Sequence, residues 1–239
     1  MINYLLHLAD NSLILGHRNS EWTGHGPILE QDIALSNISL DLIGQARNFY
    51  QYAAQLAGNG ATEDALAYLR DHHQYLNCLL VEQENGDWGK TIMRQFLFSA
   101  YQLPLYQHLI SSTDKKLAAI AEKSVKEVQY HVRWSSEWVI RLGRGTEESH
   151  IKMKNALDDL WKYSEELYTP AGYEQDFYNE KIQTSWQQRL NDILQQAALQ
   201  PPAKKRMIFG GKQGSHTVHL EKLLNEMQYM QRTYPGVEW

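Results

Sequence analysis

The stretch KSVKEVQYHVRW, residues 123–134, decides the fold. Extended to either side, it places Leu117, Ala121, Ser124, Val128, His131, Ser135, Trp138 and Leu142 on one line at three- and four-residue steps, the period of an amphipathic helix. Glu127 and His131 lie one turn apart and share a face. Carboxylate and imidazole together suit iron, manganese or zinc. A di-iron bundle, however, takes carboxylates from facing helices and two Glu-x-x-His pairs. Here the spacing is Glu-x-x-x-His, and the 239 residues contain no clean second pair. Two readings follow. Either the pair ligates a metal, or His131 is a buried histidine hydrogen-bonded to an acid on a neighbouring helix.

Outward from this segment the chain reads as helices throughout. The pattern predicts helices over 3–19, 29–57, 62–80, 89–111, 114–142, 147–168, 175–198 and 215–233. Glycine and proline punctuate them, in NSEWTGHGPILE, AGNGAT, QENGDWG, LGRGTEES and TPAGYEQD. Thr62 is placed to cap the third helix, and Thr146 or Ser149 the sixth. Leu66, Leu69, His73, Leu76 and Leu80 fall on one face of that third helix, and Pro104 should bend or divide the fourth. PPAKKRMIFGGKQGSH, residues 201–216, is the long irregular stretch, basic and glycine-rich. No repeat, strand alternation or compositional linker appears. The expectation is all-α: one antiparallel helical bundle over 1–239.

Composition narrows the function classes. A formal charge of −5 gives no reason to expect a nucleic-acid partner. No apolar run approaches the ~20 residues that span a bilayer, and MINYLLHLADNSL, interrupted by His7 and Asp10, lacks the basic start of a signal peptide. The single cysteine, Cys78, rules out an internal disulfide framework, and the expected compartment is the cytoplasm. Seven Trp and fourteen Tyr suit either a thick aromatic core or an interface.

Several other residues are candidates for chemistry. Asp41 sits among Asn37, Gln45 and Asn48 along one side of an otherwise apolar helix, as a facing carboxylate or as an ion-pair partner of Arg47 or another arginine. Asp71 and Gln74 occupy the i and i+3 positions of a ligand pair, with an amide where imidazole belongs. The fourth helix offers Arg94, Gln95, Ser99 and Gln102 inward, and no carboxylate. Two irons would therefore find too few anions. Lys204, Lys205, Arg206 and Lys212 precede a helix start that carries His216 and His219, an arrangement open to an anion, an acidic partner or a metal. A phosphate loop of the Gly-x-x-x-x-Gly-Lys-Ser/Thr type is absent.

The sequence also resembles a known family, the C subunits of ring 1,2-phenylacetyl-CoA epoxidase. The resemblance rests on EWTGHGPILEQDIALSNISLDLIGQARNFYQYAAQLAG, YLNCLLVEQENGDW, IMRQFLFSAYQLPLY, KSVKEVQYHVRWSSEWVIRLGRGTEES and GGKQGSHTVHLEKLLNEMQYMQRTYPGVEW. It covers most of the chain and is weakest over 170–205. It implies a ferritin-like, non-catalytic scaffold with no cofactor of its own. Its partners would be a homologous A subunit that holds the di-iron centre, a small B subunit, and a reductase carrying FAD and iron–sulfur. Asp41, Asp71, Gln74, Glu127 and His131 would then be vestiges of a metal site. Val218 stands where the family motif has an acid after His-Thr. The reading left beside it is a metal-binding oxidase active in its own right. The contact with the A subunit is expected on helices of 1–60 and 114–142, as a large apolar interface.

Overall fold

The computed structural model describes residues 1–203, 205–235 and 237, and these are helical with no strand. Four long helices form the core: α1 (Ile2–Ser20), α2 (Leu29–Ala57), α5 (Trp88–Leu109) and α6 (Lys115–Gly143). The shorter ones are α3 (Glu63–Tyr68), α4 (Leu79–Glu82), α7 (Glu147–Leu160), α8 (Glu165–Tyr168), α9 (Glu180–Gln196), α10 (Val218–Met227) and α11 (Tyr229–Thr233). α1 packs along α2, α5 along α6, and α2 meets α6 across the bundle, which is a ferritin-like arrangement. Thr62 caps α3 by accepting the Ala65 N–H, Thr146 caps α7 through Ser149, and Asp114 caps α6 through Lys116 and Leu117. α2 stops at Gly58, whose φ of +65° a side chain would strain.

Pro104 does not divide α5, which runs unbroken past it. The α1–α2 approach is close at Gly16, where a Cβ would stand 3.1 Å from Ile43 and 3.3 Å from both Leu42 and the Ser39 carbonyl. Leu5, Leu15, Leu35, Leu42, Phe49, Phe96, Leu97 and Val128 are among the side chains of one continuous apolar core.

The third predicted helix is corrected. Instead of running 62–80, it ends at Tyr68, makes a short turn over His72–Gln74, extends through Tyr75–Cys78 and resumes as α4. The cause is α1. His7 Nδ1 bonds the Leu76 carbonyl at 2.7 Å, Asp10 accepts the Leu76 N–H at 2.8 Å and Asn11 accepts the Cys78 N–H at 2.8 Å. Backbone groups satisfied by buried side chains have no need of a helix. Leu69 and His73 consequently face solvent. Three further boundaries move. The sixth helix ends at Leu160 before a tight turn and α8, the seventh begins at Glu180, and the last begins at Val218 and breaks at Gln228.

The added segments bury two of the four core helices. α7, α8 and α9 cover α5, while α4 and the turn over Gly172–Phe177 cover α1. α2 and α6 keep an open outer face.

Candidate functional site

The polar residues of α2, α5 and α6 meet inside the bundle. Asp41 and His131 pair across the α2–α6 seam, Oδ2 to Nε2, at 3.0 Å. One turn further along, Gln45 donates its amide N–H to Glu127 at 2.9 Å. The Gln45 oxygen then accepts from Gln102 of α5 at 3.1 Å, and Gln102 also reaches the Tyr106 hydroxyl at 3.0 Å. Ser99 and Ser135 close the row at 3.3 Å, and the Ser135 hydroxyl donates to the His131 carbonyl at 2.7 Å. His131, Gln45, Gln102, Ser99 and Ser135 are buried, whereas Asp41 and Glu127 are partly open to the α2–α6 surface. Burial raises the Glu127 carboxyl above its ordinary value, and the Gln45 hydrogen bond works against that rise.

This cluster lies between facing helices of the bundle, and its donor set does not fit two irons. It supplies two carboxylates and one imidazole. The Asp41 oxygen is already committed to His131, and an amide N–H points at Glu127 where a cation would have to approach. Among the described residues no group of three or more His, Cys, Asp or Glu is placed to hold a metal. On α5 the inward positions carry Arg94, which is fully buried and hydrogen-bonds to neutral oxygens of Gln83, Asn19 and Asn85. Burial, with Arg18 nearby, pushes its guanidinium down to about 9. A cation stands on the helix that would owe a carboxylate.

Asp71 and Gln74 do not join the cluster, a correction to the expected ligand pair. They form an exposed turn in which the Gln74 side chain accepts the Asp71 N–H at 2.8 Å, and Asp71 pairs with Arg232 at 3.0 Å. Arg47 pairs with Glu63 rather than Asp41.

The basic loop is likewise corrected. Lys212 turns inward, 4% exposed, and its ammonium bonds Glu174 at 2.8 Å and the carbonyls of Leu167 and Thr169. Burial works against the Glu174 charge, and His7 and Lys212 together outweigh it, so the carboxyl is held below its ordinary value. His216 lies under α10 with Nδ1 at 2.7 Å from Glu82 and Nε2 at 2.9 Å from the Tyr75 carbonyl. Both nitrogens face acceptors, an arrangement that favours the protonated ring. Burial opposes that charge, yet the Glu82 contact raises the ring above its usual value. Lys205 bonds the Asp158 carbonyl, Arg206 is exposed, and Lys204 lies outside the described residues. The His219 ring is partly exposed, 4.0 Å from Glu84, and its carbonyl accepts from Arg18. The glycines of this loop serve packing. A Cβ on Gly211 would collide with the Asn77 carbonyl, and Gly214, with φ +79°, lies against the His73 carbonyl.

Two buried hubs had weaker signals in the sequence. Asp10, fully buried in α1, pairs with Arg70 and accepts the Tyr50 hydroxyl at 2.5 Å. Glu82 accepts from Asn77, His216, and both the backbone N–H and hydroxyl of Thr217. A charge amid Leu5, Leu8, Ala9, Leu13 and Leu15 was the available clue to Asp10; nothing local marked Arg70 as its partner, 60 residues away. Cys78 is buried and its thiol is pushed up by burial, as an inert cysteine should be.

A family profile described as phenylacetic acid catabolic protein matches residues 1–239. The chain belongs to that family. Within it, the chain is 45% identical over 243 residues to the C subunit of 1,2-phenylacetyl-CoA epoxidase from Escherichia coli strain K12, an alignment covering 99% of this chain and 98% of the relative. This member of the phenylacetic acid catabolic family is all-helical, and among its described residues no helix is long and apolar enough to cross a membrane.

Proposed function

We propose that this chain is the structural, non-catalytic member of a multicomponent di-iron monooxygenase that epoxidises the ring of phenylacetyl-CoA. It acts as a single domain in the cytoplasm. It holds a homologous A subunit, which carries the di-iron centre, in an active shape within an assembly that includes a small B subunit and an FAD and iron–sulfur reductase. The observation that carries this reading is the Gln45–Glu127 contact. An amide donor, backed by Gln102, occupies the space between helices where a metal would need an anion. The likeness over nearly the whole length to the C subunit of an epoxidase supports the same reading.

The fold itself is the function here. A polar core whose hydrogen bonds join α2, α5 and α6 fixes the helices in one register, and a fixed register presents one fixed outer surface. The test is the iron content of the chain purified alone, together with its mass in solution with and without the A subunit. Metal-free protein that forms a defined complex is the expected result. Two irons per isolated chain would overturn the proposal and make the chain an oxidase in its own right.

A further inference from the structure

The outer face shared by α2 and α6 is unlike the rest of the core helices. α1 and α5 are buried along nearly every turn by the added segments, but α2 exposes Leu29 (72%), Ile33 (51%) and Leu40 (67%). These three, with Asn37 and Gly44, follow one another at helical steps and form a single row. Large side chains this open, aligned and unscattered, mark an interaction surface more than ordinary surface apolarity does. Beside that row, α6 exposes Lys115, Lys116, Lys123, Lys126, Arg133 and Arg141, against Glu122 and Glu137, with Glu30 exposed on α2 and Asp41 and Glu127 half-buried at the seam. A cationic row on a chain of net charge −5 is a local feature with a local purpose. The Asp41–His131 and Gln45–Glu127 contacts run along the seam between the two rows and hold them in register.

We propose that this α2–α6 face docks a helical protein surface of matching chemistry: an apolar row that covers Leu29, Ile33 and Leu40, flanked by carboxylates that meet Lys123 and Lys126. The inference rests on the scaffold reading above and names the surface through which the scaffold works. Charge selects the occupant. A second copy meeting the first by two-fold symmetry would set this cationic row against itself or against the apolar row. Nucleic acid would use the cations and leave the apolar row unburied. An acidic, apolar helix pair uses both.

The test takes the full chain and the homologous A subunit from the same source. Leu40→Asp and the pair Lys123→Glu/Lys126→Glu are compared with Val218→Asp, an equally exposed change on α10, 63% open in the native chain. All alter exposed positions, and unchanged urea midpoints confirm their folding. The expected result is at least roughly tenfold weaker binding for Leu40→Asp, a weaker and less salt-sensitive complex for the lysine pair, and native binding for Val218→Asp. Native binding by both face variants, with an unmodified chain that binds, overturns this surface and leaves the scaffold reading standing. An unmodified chain that never binds the A subunit overturns both. A chain that dimerises alone and is made monomeric by Leu40→Asp, or one that anionic vesicles or RNA capture through the two lysines, also overturns it.

Discussion

Gln45 gives its amide N–H to Glu127 at 2.9 Å across the α2–α6 seam, so that a hydrogen-bond donor rather than an anion faces this carboxylate. The direction of that bond makes a sharp expectation. Gln45→Glu replaces the donor with a second carboxylate, and Asp41 is already close enough to act on Glu127. The variant should lose about 1–3 kcal/mol of stability at neutral pH, moderated by the partial exposure of Glu127. Adding Glu127→Gln exchanges donor and acceptor and should recover most of the loss. Urea unfolding of the two single variants and the double variant reads the coupling directly. A Gln45→Glu protein as stable as the parent would mean that the bond does not carry weight.

Glu127→Ala follows from the same geometry. It leaves Gln45 with an unmet donor and opens the seam behind the α2–α6 face. Assembly or folding should suffer, while turnover per assembled complex stays near normal. Steady-state rates normalised to intact complex, measured by light scattering, distinguish this from a catalytic role, which would lower turnover in fully assembled protein.

The Asp10–Arg70 pair is buried inside the bundle. Asp10 is wholly enclosed and shares its oxygens among Arg70, Tyr50 and the Leu76 N–H. Arg70→Met strands that carboxylate and should cost about 3–5 kcal/mol. Tyr50→Phe removes one donor and should cost about 1–2 kcal/mol. Denaturant titrations that show Arg70→Met to be the milder change would contradict this ordering.

The long helices and their caps were legible in the sequence because they obey local rules. The 29–57 helix matches its predicted limits, and Thr62 and Thr146 act through their own next turn. The 62–80 segment was not legible, since its apolar spacing fits a helix while its backbone is claimed by His7, Asp10 and Asn11 nearly seventy residues away. The same distance problem hid the true roles of Lys212 and His216. A lysine between glycines and a histidine at a helix start look solvent-facing until Glu174 and Glu82 are placed beside them. Asp41, Glu127 and His131 are brought together because two regular helices carry them at matched heights. Asp71 and Gln74 depended on a helix that does not form.

The loop glycines carry their own prediction. Gly211 packs directly on the backbone of Asn77, Cys78 and Leu79, where Ala would force the 210–214 loop away from α4. At Gly16, in contrast, a Cβ would keep 3.1–3.3 Å from its neighbours, and the nearest of them is a side-chain atom that can shift. Gly211→Ala should therefore destabilise by about 1–3 kcal/mol, the usual cost of overpacking, and more than Gly16→Ala. Thermal unfolding of the two variants in parallel checks the ranking.

His216 makes stability depend on pH in a definite direction. Its folded-state value lies above the ordinary 6.5 because Glu82 favours the charged ring more than burial opposes it. A proton held more tightly in the folded state stabilises fully below the unfolded value, and that contribution is lost as pH rises through the folded one. His216→Gln should thus be most destabilising, relative to the parent, in mildly acidic solution, and the gap should narrow as the solution becomes alkaline. The opposite trend is expected for Lys212→Met near the acid limb, since Glu174, held low, gives up its contribution only as pH falls through its depressed value. Unfolding free energies of parent and His216→Gln between acid and alkaline pH decide the matter. A gap that widens with rising pH would show that the ring is neutral in the fold, and that Glu82 is held by Thr217 and Asn77 alone.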